Sequence, residues 1–179
     1  LRLRFGPTDY FSQKVTDLNV GNPIREKYAK VADVTLSPVR EFSSIVGVNL
    51  NIITSDGYLV IAERSKQTEV AAGRLHTSVA ENLLRPTDAG SNGAPDPFRC
   101  AIRGIQEELG LVVDIGAIEF SAFGVQPELC QYSLIGWTRV RENQAEVEEI
   151  RTQAIPKDKA ENRRLIFVPC NPKSIAEFV

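Results

Sequence analysis

The spacing of apolar residues changes several times along this chain, and those changes delimit its elements. Ile45 to Thr54 is β-branched and partly alternating, Ser55-Asp56-Gly57 is turn-like, and Tyr58 to Ala62 resumes the apolar run. That pattern predicts strand, tight turn, strand. Leu75 to Leu83 is a weaker strand, and residues 85–97, rich in Pro, Gly, Asn and Asp, form the longest loop-like stretch. Loops of that length inside compact domains are often binding segments or lids. Phe98, Ile102, Ile105 and Leu109 then recur at spacings of four, three and four, one apolar stripe on a helix. Asp96 can cap that helix, and Pro97 suits its first position because the missing N–H would be unpaired there. Gly110 supplies the left-handed residue that ends it. Val112 to Val125 and Gln131 to Val140 read as strands, Glu142 to Gln153 as an acidic helix, Arg164 to Val168 as a last strand. Pro172 to Val179 can start another helix. Helices that interrupt runs of strands without strict alternation predict an α+β fold with a mixed sheet.

The region before the first strand is polar and punctuated by Gly6-Pro7, Gly21-Asn22-Pro23 and Ser37-Pro38. It predicts an N-terminal extension, residues 1–44, packed on a domain spanning 45–179, with a short helix around Ile24 to Val31. With 179 residues, 42% of them hydrophobic, the chain can bury one core, which excludes a disordered tail or a collagen-like repeat. Its 21 basic and 23 acidic residues leave a net charge of −2, so no global field draws nucleic acid or an anionic membrane. No run approaches the roughly 18 apolar residues that span a bilayer. Cys100, Cys130 and Cys170 form no C-x-x-C pair, and Leu1 to Gly6 lacks a signal-peptide core. A cytoplasmic protein with reduced thiols is the expectation. The sequence contains no methionine, as expected of a piece of a longer chain or of a sequence from which methionines are missing.

The helix carries the candidate chemistry. Arg103 and Glu107 stand four apart and can pair along its surface. Glu107 and Glu108 are adjacent, and Gly104 lies one turn before Glu108. A mid-helix glycine costs about 1 kcal/mol relative to alanine. Its presence therefore points to the close approach of backbone or ligand.

Arg103-Gly104-Ile105-Gln106-Glu107-Glu108-Leu109-Gly110-Leu111 resembles the second half of the Nudix box, R-E-U-x-E-E-x-G-U with U aliphatic, at eight of nine positions. The order of elements from Ile45 to Val168 is also similar to that family. The first half, G-x5-E-x7-R, is matched less closely. Gly90 and Asp96 give G-x5-D, and the gap to Arg103 is one residue short. A methionine missing between Asp96 and Arg103 would restore the spacing, and a real one-residue deletion is equally permissible. Gly104 stands where the family has a glutamate.

The resemblance implies a mixed β-sheet sandwiched between helices. It also implies an enzyme that cleaves the pyrophosphate bond of a nucleoside diphosphate derivative with Mg²⁺ or Mn²⁺. A divalent cation would neutralise the phosphate oxygens and orient the water, and hard carboxylate oxygens suit it. Carried over, Glu107 and Glu108 become metal ligands and Arg103 the residue that orients them. Glu81, at a strand end, becomes a supporting ligand. Glu146, Glu148 and Glu149 could supply a base from the later helix, although an exposed acidic face is the preferred reading of that run. The expected partner is a small-molecule nucleotide derivative, not nucleic acid or membrane, and dimers are common among such proteins. The lone histidine, His76, reads as structural, Gly90 and Gly93 as loop formers, and Tyr132 and Trp137 as core or pocket wall. Gly104 keeps a second reading open, a Nudix-like domain that binds a nucleotide or nucleotide-sugar as a sensor without cleaving it. A third reading, an interaction domain whose helix matches by chance, would be supported by glutamates facing away from any cleft.

Overall fold

The structure, a computed structural model, describes residues 6–18, 23, 26–27, 42–67, 72–153 and 162–178. Helix α1 spans Tyr10–Thr16, and strands β1 to β4 span Val46–Ile53, Tyr58–Arg64, Leu75–His76 and Val79–Asn82. Helix α2 spans Pro97–Leu109, β5 Ile118–Gln126 and β6 Gln131–Arg139. Helix α3 (Gln144–Gln153), β7 (Asn162–Pro169) and α4 (Pro172–Phe178) complete the order. This is the mixed α+β architecture that the periodicity predicts.

Among the described residues, seven strands form one sheet, built around a fork. β1 and β2 pair only near their turn, through Ile52 with Val60 and Ile53 with Leu59. They then diverge, and β4 fills the gap against β1 while β3 pairs the far end of β2. At the fork the fully buried Ser78 hydroxyl donates to the Val60 carbonyl and accepts from the Ile52 N–H at 2.7 Å. It thus satisfies backbone groups that the divergence leaves without a strand partner. β6 runs parallel to β1 on its other edge, β5 pairs antiparallel with β6, and β7 covers β2. Val48, Leu50 and Ile52 are buried in one core cluster with Ile105 and Leu109 of α2. Asn49 lies between them in sequence and therefore faces the opposite side of the sheet.

Three elements differ from expectation. The strand expected over Leu75 to Leu83 is two short strands separated by the fork. The strand expected from Val112 begins only at Ile118, because Asp114 accepts from the Gly116 N–H at 2.7 Å and starts a 3-10 turn over Ile115–Ala117. The helix expected around Ile24 to Val31 falls largely outside the described residues. α1 stands in the extension where no helix was expected.

β5 and β6 approach closely at Gly136, where the register shifts between Phe120 and Ala122. A methyl added there would press on the Glu119 carbonyl oxygen and lie 2.8 Å from Phe120 Cδ1. Gly136→Ala should therefore destabilise the fold by about 1–3 kcal/mol in urea titration. Gly124→Ala, whose methyl would meet the movable tip of Ile135 at 3.3 Å, should be close to neutral.

Candidate functional site

Helix α2 forms as its sequence directs. Asp96 accepts from the Phe98 N–H at 2.9 Å, and Gly110 ends the helix at φ 75°. From this helix Arg103 reaches a cluster of carboxylates. Its Nε and Nη2 donate to the two oxygens of Asp88 at 2.9 and 3.0 Å, a bidentate pair. Nη2 also donates to the Asn82 carbonyl at 2.9 Å, and Nη1 donates to Glu107 at 3.0 Å and to Glu81. Burial opposes the charged form of Arg103, but the Asp88 hydrogen bonds and the Glu81 charge outweigh it and raise its pKa. The guanidinium is therefore a permanent cation and a fixed hub. Beside it, burial first and then the Asp88 charge raise the pKa of the Cys100 thiol, which keeps it protonated.

Glu81 occupies the space above Gly104. A Cβ on residue 104 would lie 2.6 Å from Glu81 Cγ and 2.8 Å from Val79 Cγ1. The glycine thus admits the side chains of β4, and a carboxylate from the strand stands where the family pattern has one on the helix. Glu108 is turned inward at 6% exposure. Its Oε1 accepts from the Ala80 N–H at 2.9 Å and its Oε2 from Asn162 Nδ2 at 2.7 Å. It ties α2 to β4 and β7.

The structure brings Arg103, Glu81 and Glu107 together by hydrogen bonds, whereas Glu108 bonds to Ala80 and Asn162 instead. Sequence reasoning missed Asp88 and Asn162. Asp88, only 1% exposed, also accepts from the Leu84 N–H at 2.7 Å and pins the loop to Arg103. Its sole signal was a carboxylate in a long loop. On the later helix, Glu146 and Glu149 are engaged locally. Glu146 forms a reciprocal cap with Asn143, and Glu149 accepts from Gln153 at 2.7 Å. Gly90 and Gly93 lie in a turn as expected, with Gly93 at φ 73°. Tyr132 is buried and stacks on Phe123 at 6.0 Å.

Among the described residues, no three acidic, histidine or cysteine side chains converge to hold a metal ion. Both oxygens of Glu108 are engaged, and the guanidinium stands between Glu81, Glu107 and Asp88. This donor set does not fit a preformed divalent-cation centre.

A cleft of about 580 Å³, within the range of small-molecule sites, opens on the Asn49 side of the sheet. Asn49, Asn82, Gln131 and Ser133 give it a polar floor, and Arg64, Arg74 and His76 one wall. Of the four residues suggested by the sequence, only Glu81 lines it. No helix among the described residues is long and apolar enough to cross a membrane.

The solved structure of a Nudix hydrolase from Alicyclobacillus acidocaldarius is similar to this one at TM-score 0.51. The two share 13% identity over 70% of this chain and 78% of that one. The chain has the Nudix fold. A MutT protein from Methanosarcina mazei Go1 is similar at TM-score 0.49 and 15% identity, over 75% of this chain and 88% of that chain. A MutT/Nudix family protein from Enterococcus faecalis scores 0.49 at 11% identity, over 69% of this chain. The match covers 43% of that longer protein. No protein-family model matches the sequence, and no curated protein does.

Two predictions follow from this Nudix-fold site. Gly104→Glu should destabilise the chain by about 1–3 kcal/mol, because it overfills occupied space. Adding Glu81→Gly should recover part of that loss in urea titration. His76 is shifted below its ordinary 6.5 by burial and by the Arg64 charge. The unfolded chain therefore binds a proton that the folded chain does not, so stability is present above 6.5 and falls as pH drops through it, levelling below the folded pKa. Melting curves of wild type and His76→Gln should differ in that window.

Proposed function

We propose that this chain is a divergent Nudix domain that binds a nucleoside diphosphate derivative in the cleft without cleaving it. The observation that carries this reading is the division of labour across β4. Glu107, Glu108 and Arg103 form a hydrogen-bonded lock on the α2 side, while the cleft has its own polar floor and cationic wall on the other. A bound diphosphate finds arginines there, and the sheet's amides can receive the sugar or base.

A second reading, a Mg²⁺- or Mn²⁺-dependent pyrophosphohydrolase, is favoured by one observation. Glu81 stands above Gly104, so a carboxylate is retained where the family pattern has one. In that reading Glu81, Glu107 and Glu108 would hold the cation after rearrangement.

Calorimetry with ADP and UDP-glucose, paired with a screen for phosphate and nucleoside monophosphate release in Mg²⁺ or Mn²⁺, separates the two. The expected outcome is binding that does not require the metal and no product release. Metal-dependent release from the wild type that Glu108→Gln abolishes would establish the hydrolase and overturn the binding-only reading.

A further inference from the structure

The cleft is not built by the sheet alone. Tyr10, Gln13 and Leu18, from α1 and the turn after it, complete its wall. Asp17 holds this helix in place. It is fully buried, its Oδ1 accepts from Thr16 Oγ1 at 2.8 Å and the Ser43 N–H at 3.0 Å, and its Oδ2 accepts from the Ser44 N–H at 3.0 Å. Ser43 and Ser44 lie just before β1, so the clamp fastens α1 to the start of the strand that carries Asn49. Ser44 takes a left-handed backbone, φ 48°, which brings its N–H beside that of Ser43 on one carboxylate.

What α1 presents to the cleft differs from what Arg64, Arg74 and His76 present. It offers one amide, one aromatic ring and one aliphatic side chain, with no charge. Gln13 is only 6% exposed and lines the cleft, so its place beside a bound group is fixed by packing. Arg74, which also lines the cleft, is exposed and makes no ion pair among the described residues. His76 lies beside Arg64, whose charge it feels. The cleft therefore offers cations that suit an anion, and on α1 a surface that suits a flat group with hydrogen-bonding edges.

We propose that α1 is the specificity wall of the cleft, where Gln13 and Tyr10 recognise the base of a nucleotide whose diphosphate lies against Arg74. Arg64 and His76 border the diphosphate end, and Asp17 is a positioning residue that acts through α1. This assignment rests on the binding reading above. A nucleotide joins the two chemistries that the walls separate, since a base offers a π-face and hydrogen-bonding edges while a diphosphate offers paired anionic oxygens.

The test compares two probes on the full chain by calorimetry, the best-bound of ADP, GDP and UDP, and inorganic pyrophosphate, which has no base. Arg74→Ala should weaken both. Gln13→Ala and Tyr10→Ala should each weaken the nucleotide by about tenfold, the scale of one lost hydrogen bond or stack, and change pyrophosphate by less than about twofold. Asp17→Asn should follow the α1 pattern, a selectivity change that a merely structural role would not produce. Tyr10 is exposed, so its variant keeps the test valid if Gln13→Ala fails to fold. Nucleotide affinity unchanged by the Tyr10 and Gln13 variants would overturn the wall while leaving the binding reading intact. A wild type that binds neither probe would overturn both.

Discussion

The approach of β4 to α2 at Gly104 is the contact on which the rest of this site depends. Any side chain on the helix there would collide with Glu81 and Val79, so the strand could not lie where it does. Because β4 lies there, the Ala80 N–H reaches Glu108 and the Asn82 carbonyl reaches Arg103. Because β4 also pairs with β1, the same contact sets one edge of the fork that Ser78 closes. Close packing makes such a contact a discrete fit, with no slack for an added methyl.

Arg103 then determines what the carboxylates can do. A buried ion pair is weak evidence for net stability, since desolvation opposes the attraction. Its loss is another matter, because removing one partner leaves a charge buried without compensation. The bidentate Asp88 pair and the Glu107 and Glu81 contacts make this guanidinium the common partner of side chains from a loop, a strand and the helix itself. Such a hub specifies an arrangement more than it supplies energy. It keeps the loop of residues 85–97 folded back on α2 instead of leaving it as a mobile lid.

Much of the fold was legible because its signals are local. The Asp96 cap, the Pro97 start, the apolar stripe and Gly110 all lie within the helix they define. The first hairpin carries its own turn. The fork was not legible, since nothing near Ser78 reveals that β1 and β2 will part and leave backbone groups for its hydroxyl to satisfy. The same holds for the site. Arg103 with Glu107 could be read from a spacing of four, whereas Asp88 and Asn162 meet α2 only through tertiary structure. Gly104 was an intermediate case. Its cost in a helix announced a close approach, but only the register of β4 shows that Glu81 fills the space.

Glu81 also shows why box residues alone do not determine chemistry. Its neighbours Ala80 and Asn82 alternate with it along β4, so the Glu81 side chain meets Gly104 and Arg103 while all three residues border the cleft. The cleft and the α2 side are linked through single residues. Ala80 lines the cleft while its N–H is held by Glu108, and Asn82 lines the cleft while its carbonyl is held by Arg103. In the binding reading proposed above, a ligand on the floor of the cleft would meet backbone whose position is set from behind by these carboxylate and guanidinium contacts. Glu108 directly, and Glu107 through Arg103, thus hold β4 from the α2 side.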